Sequence, residues 1–489
     1  MDGTGSNRSD GLNNWDLSVI AGNCGPPSAS AGCYSDLQRM TRIGRLSSMH
    51  LLIRLLPLLA APLLAAENYA YLETREFPGN RKAAQMFSAL YAARDGCLYI
   101  GLCTHAGSSQ FYQYDPRADR MRHIADIAEF LGQTGKGIRT AGKIHTRFVE
   151  DNQGRIYFGT MCEDSGPPNI DPYSWEGPNW LRYDPKADKL EDLGRINRFW
   201  GIYGLAIDTK RNYLFGTAWD GHLYRLDINT GMTRDLGRID NWDDLRHIAA
   251  DDQGNVYGCY PKARIWRYDA ATERVYDLSV QIPYDPLVYP RRLSNPMLDR
   301  KAIWRVVEWD PVDRVIYGID GGSSILFRYD PKDGPEGKVT ELAKLSAERF
   351  HGSNRKDIPY STLAFTLGRD RKIYYAPAGI DFDYEARLEA ARLAQARGGV
   401  KSPPYSELIV YDLKSRRREN LGILKTRDGR HVFGCGGAAA GADGAIYFGA
   451  AVEVSDPQKA AGKVAGDHPF AMQLLVYRPT AAPARKEGN

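Results

Sequence analysis

Hydrophobic and polar residues alternate along most of the chain in short runs, which are separated by turns rich in Asp, Asn and Gly. The stretch KIHTRFVEDNQGRIYFGT, residues 143–160, predicts a strand, a tight turn and a second strand. β-branched and aromatic residues on both sides of such a turn are typical of a β-hairpin. The pattern therefore predicts an all-β fold, and it places His145 near the start of a strand.

The hairpin pattern occurs seven times. The second strands with their turns are RDGCLYIG, DNQGRIYFG, DTKRNYLFG, DDQGNVYG, DPVDRVIYG, GRDRKIYYA and GADGAIYFG. The third strands are FYQYDP, WLRYDP, LYRLD, IWRYD, LFRYD, LIVYD and LLVYRP. Repeats of roughly 40 to 70 residues with four short strands each are typical of the blades of a β-propeller.

The last repeat stops after its third strand, near Thr480, whereas the strand-like segment NYAYLETREF, residues 68–77, lies outside the repeats. If this segment is the fourth strand of the last blade, no open sheet edge remains where the ring closes. We therefore predict one domain over residues 67–480. It is a seven-bladed β-propeller with four-stranded antiparallel blades, closed by the N-terminal strand.

The two ends of the chain differ from the repeats. Residues 1–48 are polar and show no hydrophobic period, so they are predicted to be disordered or to precede the true start codon. Residues 49–66 contain the short apolar run Leu55–Ala66 behind several arginines, which is typical of a signal peptide. The tail 481–489 is predicted to be disordered. We expect a periplasmic or extracellular protein without a membrane span, because no further run of about 18 apolar residues follows.

Charge and cysteine content narrow the classes of partner. The net charge is +4 over 489 residues, and basic residues are interspersed with acidic ones, which argues against a nucleic-acid partner. The sequence favours a monomer. After the signal peptide an odd set of cysteines without a CxxC pattern remains: Cys97, Cys103, Cys162, Cys259 and Cys435. Such a set permits one disulfide but favours buried free thiols.

Long insertions are confined to one face of the predicted ring. In a blade whose strands run outward, the turns after the first and third strands share one face, and here they are short. The long connections belong to the opposite face and comprise 124–143, 164–178, 279–301, 343–359, 381–405 and 454–469. Loops elaborated on one face of a rigid scaffold are typical of a functional face. The alternative, that surface loops simply collect polar residues, stays open at this point.

Alignment of the repeats on their turns produces two columns of interest. The first follows the aromatic-Gly pair of the second strand and contains His105, Glu163, Asp220, Lys262, Gly322, Ile380 and Glu453. The second lies near the start of the first strand and contains Ser88, Thr146, Tyr203, Arg246, Arg305, Leu363 and Gly436. Charged groups therefore concentrate where the central funnel should open, although a strand-end arginine also often pairs with a carboxylate of the next blade.

A cavity lined by arginine and lysine favours a carboxylate or sulfate ligand. Elimination from a uronate needs a cation to neutralise the carboxylate, a base and an acid. Arg246, Arg305 or Lys262 can neutralise the carboxylate. Tyr203 or His145 can act as the base, and His105 or Tyr203 as the acid. The predicted substrate-binding residues are Arg305, Lys262, His247, Trp304 and Tyr260.

The aromatic-Gly and Tyr-Asp blades, the signal peptide and the funnel of His, Tyr and Arg resemble the secreted seven-bladed propeller polysaccharide lyases, such as the ulvan lyase and rhamnose–glucuronate lyase groups. The resemblance extends from about residue 68 to about residue 480. It implies a polysaccharide lyase that acts by β-elimination on an acidic polysaccharide or oligosaccharide containing uronic acid. By residue type and place, it implies catalytic roles for His105, His145, Tyr203 and Arg246.

Two further hypotheses remain. His105, His145 and Glu163 could bind a divalent metal ion, Zn or Ca, although the sequence has no metal-binding motif and requires no cofactor. The protein could instead be a non-catalytic propeller that binds a glycan or protein through the same face. That hypothesis predicts an exposed aromatic patch on the long loops from Trp175, Trp180, Tyr284, Tyr289 and Tyr405. No GxSxG, P-loop or dinucleotide-binding motif is present.

Overall fold

The computed structural model describes residues 68–79, 83, 85–104, 107–162, 170–196, 201–239, 247–260, 263–284, 303–348, 361–377, 405–455, 464–465 and 468–479. The predictions for residues 1–66 and 481–489 lie outside this range. The described residues form short strands, one short α-helix, α1 (Ile127–Phe130), and one turn of 3-10 helix (Pro172–Ser174). Within them, no helix has the length and apolar character needed to span a bilayer.

The strands build a series of sheets in chain order. The chain begins with β1 (Tyr69–Glu76). Sheet 1 contains β2 (Leu90–Ala92), β3 (Leu98–Leu102), β4 (Gln110–Asp115) and β5 (Arg120–Asp126). Sheet 2 contains β6 (Lys143–Ile144), β7 (Val149–Glu150), β8 (Ile156–Met161), β9 (Asn179–Asp184) and β10 (Lys189–Arg195). Sheet 3 contains β11 (Ile202–Asp208), β12 (Tyr213–Ala218), β13 (His222–Asp227) and β14 (Thr233–Arg238).

The remaining sheets continue the series. Sheet 4 contains β15 (Ala249–Ala250), β16 (Val256–Tyr260), β17 (Arg264–Asp269) and β18 (Arg274–Gln281). Sheet 5 contains β19 (Trp304–Asp310), β20 (Val315–Asp320), β21 (Ile325–Asp330) and β22 (Lys338–Lys344). Sheet 6 contains β23 (Phe365–Leu367), β24 (Lys372–Tyr375), β25 (Glu407–Asp412), β26 (Arg417–Thr426), β27 (Val432–Ala440), β28 (Ile446–Glu453), β29 (Val464–Ala465), β30 (His468–Tyr477) and β1.

Sheets 1 to 5 are antiparallel, and neighbouring strands are consecutive in the chain except in sheet 2, where β6 and β7 both pair with β8. Sheet 6 is larger because β1 lies between two runs of strands. Its Glu73 pairs with Val476 of β30 in antiparallel orientation, and its Tyr69 pairs with Ile423 of β26 in parallel orientation. The predicted strand at 68–77 is therefore present and is hydrogen-bonded on both edges.

The first strands of neighbouring sheets contact one another, as β11 does with β15, β15 with β19, and β19 with β23. We call these first strands the innermost strands. Apolar cores fill the spaces between successive sheets. Phe111 of sheet 1 lies 5.0 Å from Phe158 of sheet 2 between ring centroids, and Tyr257 of sheet 4 lies 5.7 Å from Tyr329 of sheet 5. Side-by-side sheets that share cores in this way bury both faces of each sheet.

The repeated tyrosine of the second strand fixes the preceding turn. Tyr157 donates a hydrogen bond from its hydroxyl to Asp151 Oδ2 over 2.9 Å. Burial is the main cause that raises the pKa of Tyr157 to about 12, so the phenol stays protonated and donates. Five other repeats contain the same bond, namely Tyr99 to Asp95, Tyr257 to Asp251, Tyr317 to Asp313, Tyr374 to Asp370 and Tyr447 to Asp443. The aromatic residue in the sequence pattern is thus part of the turn.

The glycine after that aromatic residue allows neighbouring sheets to approach closely. A Cβ atom on Gly159 would lie 2.7 Å from the Cβ of Ile202 in sheet 3. A Cβ atom on Gly101 would lie 2.9 Å from the Cβ of Ile144 in sheet 2. Both distances are shorter than van der Waals contact. The small residue is therefore required by packing between sheets.

We expect Gly159→Ala to lower the free energy of unfolding by about 1 to 3 kcal/mol, because the added methyl group overpacks this contact. Thermal unfolding measured by circular dichroism checks the effect. The Cδ1 atom of Ile202 also lies 2.7 Å from the added Cβ position. Ile202→Val removes that atom, so the double variant should recover part of the loss. An unchanged melting temperature for Gly159→Ala would contradict this packing role.

Ion pairs connect neighbouring sheets. Arg122 of sheet 1 donates to Asp188 of sheet 2 over 2.9 Å, and both Arg371 Nη atoms donate to Asp310 over 2.8 Å. Burial alone would raise the pKa of Asp310, but Arg371 and backbone N–H groups of the adjacent turn hold it below its usual range. Such pairs show that several arginines of the repeats have the structural role considered above.

The cysteines of the repeats are buried as free thiols, which is the state that the sequence favoured. They are Cys97, Cys103, Cys162, Cys259 and Cys435. Burial raises the pKa of the Cys435 thiol to about 12. The Cys435 thiol is therefore protonated near neutral pH, and burial shields all five thiols from oxidants in the folded protein.

Candidate functional site

Tyr203 and Arg305 occupy equivalent places at the starts of two innermost strands. In β11, a register shift between Ile202 and Gly204 leaves Tyr203 as the extra residue of a bulge. In β19, a shift between Trp304 and Val306 leaves Arg305 in the same position. A bulge re-aims the side chain of its extra residue. Tyr203 and Arg305, which the alignment of the repeats placed at equivalent positions, thus occupy equivalent positions in these two sheets.

Four rings form a continuous cluster around His145, which we call the His145 cluster. The ring centroids of Phe87 and His145 lie 4.4 Å apart in a stacked arrangement. His145 meets Tyr203 edge to face at 4.6 Å, and Tyr203 stacks on Trp219 at 5.0 Å. The cluster thus joins the starts of the innermost strands of sheets 1, 2 and 3. His145 is 0% exposed and Tyr203 is 2% exposed, so both functional groups are enclosed.

The backbone around His145 is fixed by the neighbouring sheet. The hydroxyl group of Ser88 donates to the carbonyl oxygen of His145 over 2.6 Å. The thiol of Cys103 donates to the carbonyl oxygen of Ile144 over 3.4 Å. Sheet 1 therefore positions the strand that presents the imidazole, while the rings of Phe87 and Tyr203 limit its rotation.

One ion pair connects innermost strands that are not neighbours. Arg147 Nη2 of sheet 2 donates to Glu308 Oε2 of sheet 5 over 2.8 Å, and Nη1 lies 3.5 Å from the carbonyl oxygen of Val307. Sheets 3 and 4 lie between these two sheets in chain order. The innermost strands of sheets 2 and 5 therefore meet across the centre of the ring. The two side chains are 20% and 23% exposed and border the central space.

The ion pair between Arg147 and Glu308 shows where His145 and Arg305 lie relative to each other. His145 precedes Arg147 by two residues, and Arg305 precedes Glu308 by three. Both strands run from the face with long loops toward the tight turns. His145 and Arg305 therefore lie on the same side of the ion pair, nearer the face with long loops.

Lys143 is a member of the site region that the sequence analysis missed. Its side chain is 0% exposed, and its Nζ lies 5.4 Å from the centroid of the Phe87 ring. A lysine is rarely buried to this extent in a core without a specific role. The available signal was its spacing of two residues from His145, which places both side chains on the same side of the strand. Its position adds a cation beside the His145 cluster.

Among the predicted substrate-binding residues of sheets 4 and 5, His247, Trp304 and Arg305 lie at or just before the starts of innermost strands, and Tyr260 is the last residue of β16. Trp304 Nε1 donates to the carbonyl oxygen of His247 over 2.7 Å, and both residues are buried. Arg305, next to Trp304, is 8% exposed. The hydroxyl group of Tyr260 hydrogen-bonds Asp277 in its own sheet. The role of these four residues in binding stays a prediction.

The other predicted site residues lie outside the described residues. They are His105, Glu163, Arg246 and Lys262. Within the described part of the chain, no three His, Cys, Asp or Glu side chains converge as metal ligands do. Because two of the three proposed ligands are not described, a metal ion at His105, His145 and Glu163 stays a prediction, as do the roles of Arg246 and Lys262.

Two acids of the first sequence column make local hydrogen bonds. The hydroxyl group of Tyr224 donates to Asp220 over 2.7 Å, and the backbone N–H of His431 donates to Glu453 over 3.2 Å.

The predicted aromatic patch is wrong for both tryptophans, since Trp175 is 5% and Trp180 is 0% exposed. Trp180 packs against the position where Gly216 has no side chain. Tyr289 lies outside the described residues.

A cavity of about 400 Å³ lies away from the His145 cluster, on the outer strands of sheet 6. It is lined by Asn68, Glu348, Tyr405, Glu407, Asn420, Gly422 and Ile423. This cavity and the candidate chemistry at the His145 cluster thus lie in different places. The chemistry of His, Tyr and Arg identifies the candidate site at the ring centre, whereas the cavity requires a separate explanation.

Comparison with known proteins adds evidence on the fold. No known protein family matches the sequence, and no curated protein matches it. A solved structure described as U3-55K has a TM-score of 0.50 at 9% identity, covering 83% of this chain and 98% of that chain. The fold is a β-propeller. Its blades are four-stranded and antiparallel, as the sequence predicted.

Two further solved structures are similar to this propeller over most of its length. One is a catalytically inactive virginiamycin B lyase from Staphylococcus aureus with quinupristin, with a TM-score of 0.48 and 9% identity, covering 83% of this chain and 99% of that chain. The other is a chain of a mitotic checkpoint complex, with a TM-score of 0.48 and 10% identity, covering 89% of this chain and 100% of that chain. Likeness at such identities concerns the fold alone, because propellers host many functions.

Proposed function

We propose that this propeller is an exported polysaccharide lyase, which cleaves uronic-acid-containing glycans by β-elimination. The main support is the contact between His145 and Tyr203 at the starts of adjacent innermost strands, 4.6 Å between ring centroids. Arg305 occupies the equivalent bulge of sheet 5, on the same side of the cross-ring ion pair. A proton-transferring pair and a cation at one end of the ring are the groups that elimination from a uronate needs.

The proposed reaction removes the proton from the carbon next to the uronate carboxylate. The electron pair of that C–H bond forms a C=C bond, and the glycosidic C–O bond at the adjacent carbon breaks. The leaving oxygen then takes a proton. A guanidinium on the carboxylate stabilises the negative charge that develops during proton removal. In this scheme Arg305 or Arg246 neutralises the carboxylate.

Tyr203 is the proposed proton-transfer group, and His145 is its partner. The remaining proposed roles are those of His105 as an acid and of Lys262, His247, Trp304 and Tyr260 in substrate binding. The rings of Tyr203 and His145 are in contact, which places the two proposed groups side by side. Lys143 adds positive charge beside the same rings.

We also propose that the ring has seven blades and acts as a monomer. Sheet 6 then represents the sixth blade, β23 to β26, and the seventh, in the order β27, β28, β30 and β1. Support comes from the antiparallel pairing of β1 with β30 and from the contact between β27 and β2 of sheet 1. Size-exclusion chromatography with light scattering tests the monomer.

The lyase proposal predicts an unsaturated uronyl product. Incubation of the secreted form, which lacks residues 1–66, with a panel of uronate-containing polysaccharides should produce a rise in ultraviolet absorbance from the new C=C bond. Ethylenediaminetetraacetate in a parallel incubation tests the proposed metal ion. A flat trace on every polymer, together with unchanged reducing ends, would reject the enzyme.

A second candidate is a non-catalytic propeller that binds a glycan or protein through the same face. One observation favours it, namely the complete enclosure of His145, which is 0% exposed. The two candidates differ in the effect of substitutions at Tyr203. A binding platform should retain its ligand in the Tyr203→Phe variant, whereas the enzyme should lose its activity.

A further inference from the structure

The cavity on sheet 6 has the size and lining of a small-molecule site. Its volume of about 400 Å³ falls within the range of roughly 300 to 1,000 Å³ that is usual for ligand pockets. Two amide side chains, two carboxylates and one phenol line it, from Asn68, Asn420, Glu348, Glu407 and Tyr405. These groups donate and accept hydrogen bonds. The lining therefore suits a ligand with many hydroxyl groups.

Two exposed tyrosines stand on the same face as this lining. Tyr69 of β1 pairs with Ile423 of β26, which in turn pairs with Glu407 of β25. Residues paired across neighbouring strands project to one face of a sheet. Tyr69 and Tyr71 are two residues apart and therefore share that face. They are 38% and 57% exposed, whereas the intervening Ala70 is buried.

The two tyrosine rings form a platform beside the cavity. Their centroids lie 6.2 Å apart and the ring planes are inclined by 48°. Lys425 Nζ lies 5.5 Å from the Tyr69 centroid, so a cation covers part of that ring. An exposed phenol ring offers an apolar face and a polar edge. The C–H face of a sugar ring packs on such a surface while its hydroxyl groups reach the neighbouring amides and carboxylates.

The charge of the cavity selects among sugars. Burial would raise the pKa of Glu348, but hydrogen bonds from Arg418 and Asn420 lower it to about 2. Glu348 is therefore ionised at physiological pH. The lining also contains the carboxylate of Glu407 and no lysine or arginine, and the neighbouring Arg418 is already ion-paired with Glu348, so the lining offers an acidic sugar two carboxylates and no unengaged cation. The favoured occupant is a neutral sugar unit.

We propose that this face of sheet 6 is a binding site for a neutral sugar unit, with Tyr69 and Tyr71 as its stacking platform. The site is separate from the His145 cluster and does not depend on the reaction proposed there. An exported protein with such a surface holds a glycan at a point remote from its central funnel. The polar cavity then binds the hydroxyl groups of the sugar unit, and the platform packs against its C–H face.

Saturation-transfer NMR and calorimetry test this site on the secreted form, with methyl glycosides of glucose, galactose, mannose and xylose as probes. At least one glycoside should bind saturably. Tyr69→Ala and Tyr71→Ala should each weaken binding by about two- to tenfold, since an aromatic stack is worth roughly 0.5 to 1.5 kcal/mol. Tyr71→Trp should retain binding. The matched control is Tyr173→Ala, which removes a tyrosine that is 90% exposed elsewhere and should change nothing.

The outcomes separate this proposal from the proposed lyase. Binding of the neutral glycoside should be unchanged in Tyr203→Phe, whether or not that variant retains activity on uronates. Four results would overturn the proposal. They are no saturable binding of any probe, binding that is unaffected by both alanine variants, equal loss in Tyr173→Ala, or tighter binding of methyl glucuronoside than of every neutral probe.

Discussion

Tyr203→Phe is expected to lower the rate of uronate elimination by about a hundredfold or more, because a positioned proton-transfer group contributes roughly 10² to 10⁴ in rate. The substitution removes only the hydroxyl group. The ring contacts with His145 at 4.6 Å and with Trp219 at 5.0 Å remain. The melting temperature should therefore change little. Initial rates of absorbance increase on the best polymer of the panel, with thermal unfolding of the same samples, check both expectations.

The matched control is Tyr257→Phe. Tyr257 is also buried, and its hydroxyl group donates to Asp251 in a turn of sheet 4 over 3.0 Å. Loss of that hydrogen bond should cost about 0.5 to 1.5 kcal/mol of stability without a loss of rate. The single variant His145→Gln should also lose activity, as Tyr203→Phe does. Near-normal rates in both Tyr203→Phe and His145→Gln would contradict the proposed site, even if the protein proved to be a lyase.

Removal of residues 68–76 is expected to abolish the cooperative folding of the ring. Strand β1 buries Leu72, which is 0% exposed, and it satisfies hydrogen bonds of both β26 and β30. Loss of a buried leucine side chain alone costs about 2 to 5 kcal/mol, and unpaired strand edges promote aggregation. The truncated protein should be largely insoluble or unfold at a much lower temperature. Soluble yield and circular dichroism measure the effect.

A synthetic peptide with residues 67–78 provides the control for this deletion. An added strand can pair with an exposed sheet edge through its main chain while its side chains fill the vacated pockets. The peptide should therefore restore solubility and the melting transition when it is present during refolding, whereas a scrambled peptide of the same composition should not. A truncated chain that melts like the full protein would show that the ring does not need β1.

The parts of the fold that sequence predicted well depend on local chemistry. The turn aspartate and the strand tyrosine lie only a few residues apart, so the bond between Tyr157 and Asp151 is encoded in a short motif. The glycine that follows is required by contact with the next sheet, as at Gly159 and Ile202. Because both requirements recur in most of the repeats, self-comparison of the sequence revealed the blades and their strand order.

The candidate site was predicted less completely because it depends on contacts between distant segments. The equivalence of Tyr203 and Arg305 follows from strand starts and was visible in the alignment of repeats. The enclosure of His145 between Phe87 and Tyr203 was not, since it depends on how three sheets converge. The pair of Arg147 and Glu308 joins residues 161 positions apart and has no local signal.

Two tryptophans illustrate the limit of composition as evidence. Trp175 lies in the long loop 164–178 and Trp180 lies just after it, and the hypothesis of a binding platform therefore predicted that they belong to an exposed patch. The ring of Trp180 instead fills the space beside Gly216, in the contact between sheets 2 and 3. Large aromatic residues near loops are as useful for filling gaps between sheets as for binding ligands. Only the packing of the neighbouring sheet distinguishes the two roles.

The position of β1 also has a consequence for the time course of folding. Its residues 73–76 pair with residues 473–476, so about 400 further residues must be synthesised after β1 before this pairing can form. Contacts between such distant segments slow folding, because a long loop must close before they become favourable. We expect the earlier sheets to form first and the ring to close in a late, slow step. A chain that is exported before folding would complete that step outside the cytoplasm, where β30 must find β1 before it finds the edge strand of another molecule.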